Sequence, residues 1–116
     1  MENYVNPLLT INVLTGIILV IVGLLMAKFP PKKINHIYGY RTISSMKTQE
    51  RWNFAQVYSA KLMIKLGVFL ILVGVVSLLL PTTLDIGVVF SFSIFLICII
   101  FLIIKTERAI KNKFPL

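Results

Sequence analysis

The chain has 116 residues, of which 58% are hydrophobic and 14% charged, and its mean hydropathy is +0.92. Soluble domains carry about a quarter charged residues, so an ordinary soluble domain is excluded and an integral membrane protein is indicated. The formal net charge of +8 does not point to nucleic acid, because the arrangement of basic residues around the apolar runs already accounts for it and no nucleic-acid-binding pattern is present.

The first apolar run, Leu8 to Ala27, is free of charge throughout. At 1.5 Å per residue it is about 30 Å long as a helix, the thickness of a bilayer core. Met1-Glu2 offers no basic n-region, and no small-residue cleavage pattern follows Met26-Ala27-Lys28. The run is therefore expected to remain as a spanning helix rather than be removed as a signal peptide. Asn12, one turn in, is expected either to hydrogen-bond another helix or to face the outer headgroups.

Residues 28–61 follow as a basic loop and helix start. Pro30-Pro31 stops the first helix, and Gly39 between two tyrosines permits a backbone turn that a residue with a Cβ resists. Tyr38, Tyr40 and Trp52 suit a membrane interface, with the apolar ring inward and the polar atom in the wet layer. Two readings of this loop stand side by side. One is an aromatic belt with snorkelling lysines; the other is a pocket in which Arg41 meets a phosphate or carboxylate, with Asn35 and Thr42 as neutral hydrogen-bond partners.

A second helix is expected to start at an N-cap on Ser44 or Ser45 and to run without a break into the second span. Trp52, Gln56, Ser59, Met63, Gly67, Leu70, Gly74 and Ser77 recur at alternating three- and four-residue steps and so share one stripe. Lys47, Phe54, Lys61 and Lys65 lie roughly opposite. Strictly uncharged residues extend only from Leu66 to Leu80, about 22 Å of helix. Lys61 and Lys65, one turn apart, can extend their ammonium groups back to the headgroups, which sets the membrane segment at Leu62 to Leu80. Glu50 reads either as an exposed helix residue beside Arg51 and Lys47 or as the partner of Arg41.

Pro81 to Asp85 forms a tight connection to the third uncharged run, Ile86 to Ile104, whose polar content is Ser91, Ser93 and Cys98. Residues 105–116 form a basic tail. The expected architecture is all-α, a single membrane domain over 1–116 with three transmembrane helices. Gly16 and Gly23 in the first span share their seven-residue spacing with Gly67 and Gly74 in the second, which predicts a glycine seam where the two helices approach closely. The alternative is that the seam serves a neighbouring copy instead.

All twelve basic residues fall on one side of this three-span arrangement, with Glu2 and Asp85 on the other. The positive-inside rule then places the loop and the C-terminus in the cytoplasm and the N-terminus outside. Anionic lipid headgroups are the expected partners of this basic face, at about 1 kcal/mol per Lys or Arg near the surface. Catalytic candidates are His36, Glu50, Ser44, Ser45 and Cys98, but the single histidine has no evident partner and Cys98 falls mid-span, so no enzyme activity, metal or cofactor is expected.

The series Asn35-x-x-Tyr38-Gly39-Tyr40-Arg41-Thr42, then Ser45, then Glu50-x-Trp52 and Ala55, resembles the signature of the SdpI/YfhL family of bacterial membrane proteins. The resemblance covers roughly Pro30 to Leu80, and the third span fits the same architecture. It implies a multi-pass protein of the bacterial plasma membrane. The family's namesake gives immunity against a secreted peptide toxin, and it also draws a transcriptional repressor to the membrane. That namesake carries additional membrane helices before the signature, so roles that depend on them are not implied here. The function implied is immunity or resistance to a membrane-active peptide by binding or sensing it, with a peptide toxin or a cytoplasmic regulator as partner. The alternative is an envelope-stress or accessory protein that binds anionic lipid or a membrane partner. The residues carried over as a candidate binding motif are Asn35, Tyr38, Gly39, Tyr40, Arg41, Thr42, Ser45, Glu50 and Trp52.

Overall fold

The computed structural model describes residues 6–115, so Glu2, counted above on the outer side, lies outside them. Three long helices and one short turn of 3-10 helix make up its regular structure: α1 (Pro7–Lys28), α2 (Gln49–Val76), the turn Ser77–Leu79, and α3 (Leu84–Lys113). All three α-helices are long and apolar enough to cross a membrane. Asn6 caps α1, its side-chain oxygen accepting from the amides of Leu8 (3.0 Å) and Leu9 (3.3 Å), and Pro7 occupies the first helical position, where a missing N–H costs nothing.

The helices alternate in direction. The α1 start meets the α3 start at one end, where Gly87 sits directly against Pro7; at the other end the loop after α1 packs onto α2 and the last turns of α3. Along the α1–α2 contact the chain has removed side chains. A Cβ on Gly16 would lie 2.6 Å from the Gly67 carbonyl oxygen, and one on Gly67 equally close to the Gly16 oxygen. Gly23 faces the Ala60 carbonyl at 2.8 Å and Gly74 faces Val13 at 2.7 Å on the same measure. These distances leave no room for any side chain, so the two backbones run in near contact, the arrangement that lets van der Waals packing and polar contacts hold helices together in lipid.

The stripe on α2 from Trp52 to Ser77 is the inward face: all of its members are buried except Met63, which is half-buried against both hydrophobic clusters. Cys98 packs as a small residue with Leu19 and Leu70. Asn12 is fully buried and bridges α1 to α3, its amide nitrogen donating to the hydroxyl of Ser91 at 3.1 Å and to the Leu8 carbonyl at 2.7 Å. Of the two expectations for Asn12, the contact with another helix is the one formed.

One expectation is corrected. The N-cap of α2 is Thr48, not Ser44 or Ser45: its backbone is extended (φ −141°, ψ 160°) and its hydroxyl accepts from the Arg51 amide at 3.1 Å. Residues 42–46 instead close a separate turn, with the Met46 amide bonded to the Thr42 carbonyl at 3.1 Å, and that turn uses the Ser45 hydroxyl. Most of the basic tail is helical: α3 continues to Lys113, adding more than two turns beyond the uncharged run. The extra turns are stabilised where Ile110 is fully buried beside Met26, Tyr40 and Ala60.

Candidate functional site

Pro30 and Pro31 release the chain from α1, and four side chains then return it to the bundle. Asn35 organises the first bend: its side-chain oxygen accepts from the amides of Ile37 (2.9 Å) and Tyr38 (2.7 Å), while its nitrogen donates to the Lys33 carbonyl at 2.9 Å. The Tyr38 hydroxyl reaches back to the Phe29 carbonyl at 2.8 Å, closing the end of α1. The Trp52 indole N–H donates to the Pro31 carbonyl at 2.7 Å from a fully buried ring. Gln49, in the first turn of α2, donates to the Lys32 carbonyl at 2.6 Å.

Gly39 is the hinge of the second bend. Its φ of +110° belongs to a region that residues with a Cβ rarely adopt, and a Cβ there would stand 2.6 Å from the Gln56 side-chain oxygen and 2.7 Å from Pro31. The close approach lets the buried Gln56 amide pair with both backbone groups of the next residue: it accepts from the Tyr40 N–H at 2.7 Å and donates to the Tyr40 carbonyl at 2.9 Å. One glutamine on α2 thus replaces what a neighbouring strand would offer, satisfying a loop backbone that is cut off from water.

The polar centre of the site is Glu107, on α3. The hydroxyls of Tyr40 and Thr42 both donate to its Oε2 at 2.7 Å. Thr42 Oγ1 in turn accepts from the Ser45 amide at 3.1 Å, and the Ser45 hydroxyl accepts from the Thr42 amide at 2.9 Å while directing its proton at the carbonyls of Tyr40 (3.2 Å) and Thr42 (3.1 Å). Burial of the Tyr40 ring, and then the neighbouring Glu107 carboxylate, hold its phenol well above the ordinary tyrosine range. The tyrosine is therefore a neutral donor, and the carboxylate is the charge it serves. At the rim, an Arg51 guanidinium nitrogen donates to the Phe114 carbonyl at 2.9 Å, securing the last turn of α3 against α2.

The motif residues do not all join this assembly. Asn35, Tyr38, Gly39, Tyr40, Thr42, Ser45 and Trp52 form the connected clamp. Arg41 is exposed and donates to the carbonyl of His36 in its own loop rather than to Glu50. Glu50 stands exposed in the first turn of α2, where a carboxylate complements the helix dipole. Gln56 and Glu107 complete the site, and sequence reasoning missed both as site members. Gln56 carried a signal as a polar residue on an apolar stripe, and Glu107 as a lone acid among Lys105, Arg108, Lys111 and Lys113.

The model of the SdpI/YfhL protein family matches residues 32–107, well over half of the chain. The chain belongs to the SdpI/YfhL family. The matched segment opens at the loop and ends at Glu107, the carboxylate that receives it, so the family's stretch contains both halves of the clamp. Among curated proteins the chain is similar to the uncharacterized protein YfhL of Bacillus subtilis (strain 168), with 54% identity over 52 residues. That match takes in 45% of this chain and 47% of the relative, so the chain covers about half the relative's length. No solved structure matches the chain.

Proposed function

We propose that this SdpI/YfhL-family protein protects a bacterial cell against a membrane-active peptide by binding or sensing it, without chemical turnover. In this reading the loop and the last turns of α3 face the cytoplasm and the start of α1 faces outward, as the distribution of Lys and Arg favours. The observation that carries the reading is the use of the motif side chains. Tyr38, Tyr40, Thr42, Ser45 and Trp52 each aim their polar atoms at the protein's own backbone or at Glu107. A site saturated in this way holds helices in a fixed arrangement; an acid–base or nucleophilic site instead needs groups directed at an open position. The surface left for a membrane peptide is then the lipid-facing side of the bundle, where Leu14, Ile18, Phe69, Leu72 and Phe92 are exposed.

The test is survival of a toxin-sensitive bacterial strain that expresses the chain, with membrane insertion measured on the same cells. Protection is expected from the wild type. A fully inserted protein that gives no protection across a panel of membrane-active peptides would overturn the reading in favour of an accessory role on anionic lipid or a membrane partner.

A further inference from the structure

Away from the clamp, between α2 and the last turns of α3, lies a crevice of about 290 Å³. Tyr58 of α2 forms one wall; Phe101, Ile104, Lys105, Arg108, Ala109 and Asn112 of α3 form the rest. The α3 residues stand at i, i+3, i+4, i+7, i+8 and i+11 from Phe101, so they share one face of the helix, and its character changes along the helix axis. Phe101 and Ile104 close the uncharged run, Lys105 is the first charge after it, and Arg108 and Asn112 stand one and two turns further on. On α2, Lys61 and Lys65 continue the stripe of Tyr58 at steps of three and four, and both are exposed.

Among the described residues no carboxylate forms an ion pair with these cations. Glu107, the acid nearest in sequence, accepts from Tyr40 and Thr42 on the clamp side. Lys105 places its ammonium 5.6 Å from the centroid of the Phe101 ring, and among the described residues Arg108 enters no hydrogen bond or ion pair. A concave site that is apolar towards the bilayer and cationic just above it matches an amphipathic anion. Basic pockets between helices at this level are typical seats for anionic lipid headgroups.

We infer that the crevice is a binding site for an anionic phospholipid, with Lys105 and Arg108 on the phosphate, Tyr58 and Asn112 as hydrogen-bond donors to its oxygens, and an acyl chain along Phe101 and Ile104. The site is independent of any toxin and does not rest on the immunity reading. A free phosphate satisfies the cations but leaves the apolar end unused, so the membrane is the source the crevice fits.

The experiment is native mass spectrometry of the whole chain released from phosphatidylcholine nanodiscs doped with phosphatidylglycerol, counting retained anionic lipid. The double variant Lys105→Gln/Arg108→Gln should retain about thirtyfold less, from the loss of two headgroup-level cations at about 1 kcal/mol each. Lys32→Gln/Lys33→Gln, which removes the same charge from the loop, should retain as much as the wild type. Ala109→Trp, which fills the crevice and removes no charge, should also displace the lipid, with folding checked by circular dichroism. Equal loss in the loop variant would overturn the site in favour of diffuse surface attraction. Retention in both crevice variants would overturn it outright, and displacement by millimolar inorganic phosphate would make it a phosphate site rather than a lipid site.

Discussion

The sharpest test of the clamp is a thermodynamic cycle on Tyr40 and Glu107. Tyr40→Phe deletes one hydroxyl that donates to Glu107 Oε2 at 2.7 Å and leaves Thr42 donating to the same atom at the same distance. Glu107→Ala deletes the acceptor for both hydroxyls, and the phenol keeps only the Ile103 carbonyl at 3.4 Å. Hydrogen bonds to a charged group contribute about 1.5–3 kcal/mol each. Glu107 is only half-buried, and water can reach a carboxylate left without its partners, so the lower end of that range applies. Tyr40→Phe should therefore cost about 1–2 kcal/mol and Glu107→Ala about 2–3 kcal/mol. The double variant should fall short of the sum by about 1 kcal/mol, since the shared bond is lost only once. Reversible unfolding in mixed detergent micelles, with helicity as the signal, measures all four corners. Additivity within about 0.3 kcal/mol would refute the idea that these two side chains hold the loop to α3.

Two further predictions concern the seam and the phenol. Gly67→Val should destabilise the protein by about 1–3 kcal/mol, because its Cβ would lie 2.6 Å from the Gly16 carbonyl oxygen and from a Val20 methyl; Val75→Leu on the exposed face should change it little, and equal melting of the two variants would contradict the seam. Tyr40 has a folded-state phenol raised above its ordinary value of 10.0 by burial and by Glu107. Its stabilising effect is complete below pH 10 and declines above it, because the unfolded phenol ionises there while the folded one does not. Accordingly, wild type and Tyr40→Phe should give the same tyrosinate absorbance while folded; a wild-type excess of one tyrosinate near pH 10 before unfolding would refute this.

The sequence carried the helical frame well, for a reason visible in α2. A stripe from Trp52 to Ser77 that mixes Gly, Ser, Gln and Trp makes sense only as a face packed on another helix, since a lipid-facing stripe would be uniformly apolar. Of the four glycines only Gly16 and Gly67 meet; Gly23 lies against Ala60 and Gly74 against Val13, so the shared seven-residue spacing marks the face each helix turns to the other rather than glycine pairing at every level. The start of α2 was less legible. Ser44, Ser45 and Thr48 are all acceptable caps, and what decides among them is the turn at Thr42 to Met46, which draws the Ser45 hydroxyl into the loop. The clamp was only half legible. Tyr40 and Thr42 stand out beside Gly39, but their partner lies 65 residues or more along the chain, and one acid in a basic tail has the local pattern of an ordinary exposed residue. Arg41, the most conspicuous charge in the motif, drew attention to a contact with Glu50 that the exposed placement of both side chains does not form.

The continuation of α3 to Lys113 gives Glu107 a mechanical meaning. A helix that turns by one residue swings each side chain through about 100° and slides it by about 1.5 Å. Either movement would carry the carboxylate away from two hydroxyls that now meet it at 2.7 Å. Because α3 runs unbroken from Leu84 to Lys113, the rotational setting of its apolar length and the position of Glu107 are tied together. The loop thus acts as a detent for the third helix, holding it at one rotational setting through two hydroxyls on one carboxylate.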